Sequence, residues 1–302
     1  CGAALAATPP EYLLKSRCRR CSSFVLKYDL RRSITYTVNV YIRQQLYYHS
    51  DESEAVVYPP VNVGHAGRAA NGKEVKIMLG AIIGDIVGSI YEWNGIKTKD
   101  FPLFRDNCSF TDDTVMTVAT ADALMNGGGA DDFIDAYKEW GRRYYYVGYG
   151  DRFRIWIHSD DRSPYNSWGN GSAMRLSPWA WLMDCGYYAR TGIWPSRELA
   201  KLSAEVTHNH PKGIKGALAV TDAIFLCRFY MGGYKDGSID ERTAIEQCKL
   251  HVKEHIEKEY GYDLSKTLDE IRPAYCFDAS CQGTVPQAII AFLESADFED
   301  AI

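Results

Sequence analysis

Two adjacent carboxylates, Asp112 and Asp113, lie in the stretch FTDDTVMT, with Thr111 directly before them and an apolar run of helical spacing after them. One interpretation is structural, because carboxylates in the first turn of a helix face the positive end of its dipole. The other is a cation site. Adjacent helical positions lie about 100° apart, so both carboxylates and the threonine hydroxyl could surround one point, and Mg²⁺ prefers such oxygen ligands. The pattern alone leaves both interpretations open.

Four further stretches carry residue types that bind or cleave ligands. In the first stretch an acidic residue follows a predicted helix, and the second stretch contains a Gly-Asn-Gly-Ser turn. Two histidines precede a proline-initiated helix in the third, and the fourth leads into a late helix. Backbone N–H groups of a glycine-rich turn can bind an anion such as a phosphate. The stretches are GDIVGSIYEWN (84–94), SWGNGSAMRLSPWAW (167–181), THNHPKGIKGALAVTDAI (207–224) and FDASCQGTVPQAIIAFLESADFEDAI (277–302).

Together with FTDDT, and in this order, the stretches resemble the ADP-ribosylglycohydrolase family from about Met78 to Ile302. The resemblance implies a compact all-α domain that carries two Mg²⁺ ions at the mouth of a cleft. It also implies Mg²⁺-dependent hydrolysis of the bond between ADP-ribose and its acceptor. The expected partner is an ADP-ribosylated protein or a small ADP-ribose conjugate. A catalytically inactive ADP-ribose-binding or structural protein of the same fold is the alternative.

The resemblance implies roles for individual residues. Thr111, Asp112 and Asp113 match the first cluster of metal ligands, where a dication would neutralise the carboxylate pair. Glu92 and Asp113 are the expected catalytic residues, with Glu92 as a general base or as the group that positions water or substrate. The residues that match the family's ribose and diphosphate loop, and its histidine near the nucleotide, are Gly169, Asn170, Gly171, Ser172, Met174 and His208.

Several neighbouring residues have simpler explanations. His210 could pair with His208 on a transition metal, but no third ligand is evident, and we expect a packing or capping role. Thr284 is equally compatible with helix capping and with ligand contact. Tyr149 and Phe153 could line the cleft, although the 21 tyrosines of this chain make core packing the default expectation.

The family pattern also includes a glycine-rich, GGDSDT-like motif that completes the two-metal site, and these 302 residues contain none. The second ligand cluster is therefore missing from this sequence. We expect the sequence to be a fragment of a longer protein, because the stretch DFEDAI breaks off where a helix would naturally continue. A protein that cannot bind both ions is the alternative.

Residues 1–77 differ in texture from the rest of the chain. The stretch 32–49 has the β-branched and aromatic content of one or two short strands, and residues 50–77 resemble a solvated linker. From residue 78 onward, helical spacing predicts an all-α domain. The predicted helices cover 78–94, 112 to the glycines at 127–129, 131–147, 196–206, 212–231, 241–260 and 285–295.

Composition limits the remaining classes of protein. The hydrophobic fraction of 46% supports a sizeable core, and the net charge of −5 gives no reason to expect a nucleic-acid surface. No apolar run approaches the length of a membrane span. Nine cysteines without framework spacing are typical of reduced thiols and predict a cytoplasmic protein. The closest pair, Cys18 and Cys21, lacks a second pair that would complete a zinc site, so we interpret it as incidental.

Overall fold

The computed structural model describes residues 79–93, 95–235, 237 and 239–302, which all lie within one compact unit of the chain, Val57–Ile302. The regular secondary structure of these residues is helical. An isolated antiparallel bridge joins Gly169 to Ser280. The prediction of an all-α fold is confirmed.

The features predicted for the N-terminal segment lie outside the described residues. They are the segment 1–77 itself, the strands at 32–49, the linker at 50–77, and the cysteines Cys18 and Cys21. The domain boundary at residue 78 therefore stays a prediction.

Twelve α-helices follow one another along the described residues, and the longest connection runs from Gly88 to Asp112. A single 3₁₀ turn, Asn170–Ser172, lies between the fourth and the fifth. They are α1 (Leu79–Gly88), α2 (Asp112–Met125), α3 (Ala130–Arg143), α4 (Asp151–His158), α5 (Ser177–Leu182), α6 (Cys185–Thr191), α7 (Glu198–Glu205), α8 (Pro211–Lys235), α9 (Glu241–Tyr260), α10 (Leu268–Ile271), α11 (Cys281–Glu294) and α12 (Phe298–Ala301). None of these described helices combines the length and the apolar character needed to cross a bilayer.

Two large apolar clusters hold the helices together. The first cluster joins α2, α3 and α4 and includes the fully buried Met116 and Phe133. The second joins α8, α9 and α11 and includes the buried Val252 and Ile290. Burying one large apolar side chain contributes roughly 1.5–3 kcal/mol. The two clusters therefore fix the helices from which the polar residues of interest project.

The first predicted helix ends earlier than expected. The prediction of a helix through residue 94 is wrong, because α1 stops at Gly88 and the chain turns, with the Tyr91 N–H donating to the Gly88 carbonyl at 2.8 Å. The Ser89 hydroxyl donates to the Ile86 carbonyl at 2.8 Å and so competes for the acceptors of the last helical turn. As a result, Glu92 lies on a turn after the helix.

The third helix also ends before its predicted limit. The prediction of a helix over 131–147 is wrong at its end, because α3 stops at Arg143 and Tyr144 leaves the helical region with φ −121° and ψ 45°. Gly148, with φ +106°, lies in a region that glycine alone readily adopts. The turn presents the Val147 carbonyl to the Asp112 N–H at 3.1 Å. This end of α3 therefore meets the start of α2.

The later helices agree better with the sequence pattern. The predicted helix 241–260 is confirmed as α9, and Pro211 opens α8 as predicted. The prediction that the last long helix begins at residue 285 is wrong, because α11 begins at Cys281. Ser280 caps it, and Pro286 lies inside the helix, where the missing N–H removes one backbone hydrogen bond without ending the helix.

Candidate functional site

Asp85, on α1, holds the start of α2. Its carboxylate accepts hydrogen bonds from the backbone N–H groups of Thr111 (2.8 Å) and Thr114 (3.2 Å), and from both threonine hydroxyls. Thr111 is the N-cap residue of α2, and its hydroxyl accepts from the Asp113 N–H at 3.4 Å. A charged acceptor at a helix N-terminus satisfies donors that have no partner within the helix. The contact therefore fixes the first turn of α2 against α1.

Sequence reasoning missed Asp85. It is the only charged residue of α1, whose sequence is LGAIIGDIVG. A carboxylate in an otherwise apolar helix is costly to bury unless it is paired or hydrogen-bonded. A single carboxylate in an apolar helix was the sequence signal that could have identified Asp85.

Asp112 and Asp113 lie at the start of α2 and are partly buried. Burial, with the added charge of Asp113, raises the pKa of Asp112 to about 8. Burial, with the charge of Asp85, raises the pKa of Asp113 to about 7. Among the described residues, no lysine or arginine forms an ion pair with either carboxylate. Carboxylates placed in this way repel one another unless a proton or a cation lies between them.

Glu92 faces the same region from the turn after α1. Burial, followed by the charge of Asp85, raises its pKa. Its own charge in turn contributes to the raised pKa of Asp112 and of Asp113. The structure therefore brings four carboxylates into one neighbourhood, which we call the acidic cluster: Asp85, Glu92, Asp112 and Asp113.

A glycine and a tyrosine adjoin the acidic cluster just before α4. A Cβ atom at Gly148 would lie 3.4 Å from Asp112 Oδ1, so this backbone runs directly past the carboxylate. Tyr149 packs in the first apolar cluster, as expected for a core residue, but its buried hydroxyl has no hydrogen-bond partner among the described residues. Burial and the Asp112 charge raise the pKa of this hydroxyl, which keeps it protonated and able to donate.

The chemistry of the acidic cluster fits a hard cation. Its potential ligand atoms are oxygens, and no side-chain cation of the described chain neutralises the pair. Within the described part of the chain, however, no three Asp, Glu, His or Cys side chains are arranged to hold an ion by themselves. Mg²⁺ commonly binds through one or two carboxylates and keeps several waters or substrate oxygens. Thr111, Asp112 and Asp113 therefore fit as part of a ligand set and not as a complete one.

The second predicted part of the site is the Asn170 loop, Gly169–Met174. Two backbone hydrogen bonds attach it to the segment before α11. The Asn170 N–H donates to the Ala279 carbonyl at 2.8 Å, and the Cys281 N–H donates to the Trp168 carbonyl at 3.0 Å. The loop is therefore held by structure more than a hundred residues later in the chain.

Hydrogen bonds within the protein occupy some backbone N–H groups of the Asn170 loop, and only the others can bind a ligand. The buried Ser172 hydroxyl donates to the Gly213 carbonyl in the first turn of α8 at 2.9 Å, which attaches the loop to α8. Four loop amides already donate within the protein: those of Gly169, Asn170, Ala173 and Met174. Of the two other amides, that of Ser172 belongs to a fully buried residue, so the Gly171 amide is the candidate for an anion.

Met174 connects the Asn170 loop to α2. Its carbonyl accepts a hydrogen bond from the Thr117 hydroxyl at 3.4 Å, and its side chain packs against the first apolar cluster. Thr117 lies one helical turn after Asp113. The end of the loop therefore lies beside the helix whose first turn carries the acidic cluster. No hydrogen bond joins the four carboxylates directly to Gly169–Ser172.

His208 lies against Gly169 and Gly171 of the Asn170 loop. A Cβ atom at Gly171 would lie 3.1 Å from its Nε2, so a larger residue there would crowd the imidazole ring. The ring is 5% exposed, and burial together with the charge of Arg175 lowers its pKa well below the usual value. His208 is therefore neutral at physiological pH.

The structure also decides the roles of three residues that had competing explanations. His210 accepts the Lys212 N–H on Nδ1 at 3.1 Å, and this capping role at the start of α8 agrees with our expectation. Thr284 does not cap a helix, because Ser280 is the cap of α11, and the Thr284 hydroxyl donates to the Ser280 carbonyl at 2.7 Å. Phe153 is buried in the first apolar cluster.

The all-α fold and this two-part site define the class of protein to which the chain belongs. Residues 71–302 match the family model described as ADP-ribosylglycohydrolase. The chain belongs to the ADP-ribosylglycohydrolase family, and the resemblance inferred from the motif order is confirmed.

Two relatives and one solved structure illustrate the similarity. The chain is 24% identical over 212 residues to ADP-ribosylhydrolase ARH3 of Gallus gallus, and 25% identical over 209 residues to ADP-ribosylhydrolase ARH3 of Mus musculus. Each match covers 59% of this chain, and the chain spans about half the length of these relatives, 54% and 53%. A solved chain described as an ADP-ribosylglycohydrolase-related protein complex is 20% identical, with a TM-score of 0.50, and the match covers 74% of this chain and 76% of that one. The last likeness concerns the fold alone.

Proposed function

We propose that this chain is part of a Mg²⁺-dependent hydrolase that cleaves the glycosidic bond between ADP-ribose and a protein side chain or related conjugate. The observation that carries the proposal is the acidic cluster, whose carboxylates have no cationic partner in the described chain and lie near the start of the helix that contacts the Asn170 loop. Family membership and the ARH3 relatives support ADP-ribose as the substrate moiety.

Each part of the site has a task in this proposal. Thr111, Asp112 and Asp113 contribute oxygen ligands, and Asp85 holds the helix start that presents them. When bound, Mg²⁺ would orient the ribose hydroxyls and offset the charge that develops as the bond breaks. Glu92 accepts a proton from water or orients it, for which its raised pKa is suited.

The Asn170 loop holds the nucleotide end of the substrate. The Gly171 amide donates to the diphosphate, and His208 lies against Gly169 and Gly171. Because the loop is attached both to α8 and to the segment before α11, it presents these groups without reorganisation.

The test is release of ADP-ribose from an ADP-ribosylated protein by the full chain, with Mg²⁺ and with a chelator. We expect Mg²⁺-dependent release that the Asp113→Asn variant loses and that Asp131→Asn, a change at an exposed aspartate, retains. Equal release by wild type and Asp113→Asn would contradict the proposal.

One observation favours a second candidate, an ADP-ribose-binding protein without catalysis. The described residues contain no complete set of three metal-binding side chains. On this alternative, calorimetry would detect ADP-ribose binding that is independent of Mg²⁺, and no release would occur in the same assay.

A further inference from the structure

Arg175, directly after the Asn170 loop, is a buried cation without a carboxylate partner among the described residues. Its Nη2 donates to the Ser203 carbonyl at 2.5 Å and to the Thr207 hydroxyl oxygen at 2.9 Å. Its guanidinium lies over the Tyr137 ring, 4.1 Å from the centroid. A buried arginine usually pairs with an anion, so its contact with a neutral hydroxyl calls for another explanation.

Thr207 connects Arg175 to His208. Its Oγ1 lies 2.8 Å from His208 Nδ1, and the residue is fully buried. The guanidinium has donors and no acceptor, so the threonine oxygen accepts from Arg175 and its proton needs a separate acceptor. The described residues offer only His208 Nδ1. Thr207 therefore donates to Nδ1, since the opposite direction would leave a buried hydroxyl proton unsatisfied.

This direction determines where the proton of His208 lies. A neutral imidazole that accepts at Nδ1 carries its hydrogen on Nε2. Nε2 has no hydrogen-bond partner among the described residues, and it lies under the glycines of the Asn170 loop. Burial and the nearby Arg175 charge lower the pKa of the ring, so it stays neutral.

We propose that Arg175 and Thr207 are positioning residues that hold His208 as the Nε2–H tautomer, so that this N–H donates to an acceptor oxygen of the ligand on the Asn170 loop. The tautomer follows from contacts within the protein alone. The statement about the ligand rests on the proposed function. A neutral donor suits a ribose hydroxyl, ring or phosphate-ester oxygen, which needs a directed hydrogen bond rather than a counter-ion.

Nitrogen-15 NMR of the full chain, labelled at its seven histidines, tests the tautomer directly. Long-range proton–nitrogen correlations distinguish a protonated Nε2 from a protonated Nδ1, and His208→Gln identifies the signals of His208. We expect protonated Nε2 and bare Nδ1. A protonated Nδ1, in a neutral or a charged ring, would overturn the proposal whatever the protein binds.

Two variants and a matched control test the hydrogen bonds that run from Arg175 through Thr207 to His208, which we call the relay. Thr207→Val removes the hydroxyl with little change of shape, and it should give a mixture of the two tautomers. Thr207→Ser keeps the hydroxyl and should restore the Nε2–H form. Thr221→Val removes another fully buried hydroxyl, which donates to the Ala217 carbonyl, and it should leave His208 unchanged. A pure Nε2–H signal in folded Thr207→Val would overturn the relay, and the wild-type spectrum decides the tautomer if that variant does not fold.

Calorimetric titration with ADP-ribose tests the consequence for the ligand. Thr207→Val should bind about tenfold more weakly than wild type, with Thr207→Ser and Thr221→Val close to wild type. Equal affinities of Thr207→Val and wild type would overturn the assignment of Nε2–H to the ligand. If wild type binds no ADP-ribose, both the proposed function and the assignment of Nε2–H to the ligand are wrong. The tautomer of His208 is tested separately by the NMR spectrum.

Discussion

Two helices of the described residues carry adjacent aspartates in their first turn, and the two pairs have opposite surroundings. Asp131 and Asp132 open α3 at the surface, where the Asp131 carboxylate pairs with Arg162 at 2.8 Å and Asp132 accepts the Gly129 N–H at 2.9 Å. The pair that opens α2 has other carboxylates as neighbours and no cation of the described chain. Adjacent aspartates in a first turn are therefore not a metal signal by themselves. Their tertiary surroundings decide.

The α3 pair stabilises the protein in the ordinary way. The Asp132 carboxylate accepts the N–H of the N-cap residue Gly129, and both carboxylates face the positive end of the helix dipole. The α2 pair has the same relation to its helix, but burial and neighbouring charge raise the pKa of both groups. An arrangement that costs stability in the isolated chain is typical of a site that a ligand completes.

The largest expected difference between the pairs is in activity. Asp113→Asn should lower Mg²⁺-dependent release of ADP-ribose by about 10²-fold or more, because it removes a ligand oxygen and a charge at the reacting bond. Asp131→Asn should leave the rate within about twofold of wild type, since that side chain is 87% exposed and has no part in the proposed site. Initial rates with an ADP-ribosylated protein measure both. A comparable loss in the two variants would remove the distinction.

The next effect concerns the support of the α2 pair. Asp85→Ala should destabilise the protein by about 2–3 kcal/mol, because it leaves the N–H and hydroxyl groups of Thr111 and Thr114 without their acceptor. Asp132→Ala, which removes a surface cap, should cost only about 0.5–1 kcal/mol. Urea denaturation of each variant gives these free energies of unfolding. Equal losses would mean that Asp85 is no more than an ordinary cap.

The third effect is the pH dependence of stability in a chelator. The pKa of Asp113 is raised to about 7 and that of Asp112 to about 8, so the folded protein binds these protons more tightly than the unfolded chain. Their contribution is greatest below the ordinary carboxylate pKa of about 4 and is lost as the pH rises through about 8. Wild type should therefore be more stable at pH 5.5 than at pH 8, by several kcal/mol from this pair at these pKa values.

Two substitutions separate this effect from general acid behaviour. Asp113→Asn should reduce the difference between the two pH values and raise the stability at pH 8, because it removes a partly buried charge. Asp131→Asn should leave the pH profile of wild type unchanged. Urea midpoints at both pH values are the measurement, and a profile of Asp113→Asn that coincides with wild type would show that the α2 pair does not titrate as described.

The smallest effect belongs to the surface pair. Arg162→Ala breaks the contacts with Asp131 and Asp135, and it should cost no more than about 0.5 kcal/mol, because exposed ion pairs contribute little. Thermal unfolding at low and at high salt measures this difference, which salt should diminish. A loss of several kcal/mol would mean that the Arg162 contacts stabilise the protein far more than exposed ion pairs usually do.

The sequence predicted the helical class and the longer helices, because spacing and composition carry that information locally. The place of Glu92 near the aspartate pair was implied only by the family resemblance. Sequence reasoning missed Asp85, whose role depends on α1 meeting α2, and the short helices α4, α6 and α10, where few turns give little periodicity. It also missed Arg175 and Thr207, because a buried cation and its hydroxyl partner lie 32 residues apart. Contacts between distant segments are the part that one sequence does not reveal.

Calorimetric titration of Mg²⁺ into the full chain, with ADP-ribose present, tests the central claim most directly. Wild type and Asp131→Asn should bind Mg²⁺ with the same affinity, and Asp113→Asn should bind at least about tenfold more weakly. No Mg²⁺ binding by wild type, or equal binding by Asp113→Asn, would contradict the assignment of the α2 carboxylates to a metal.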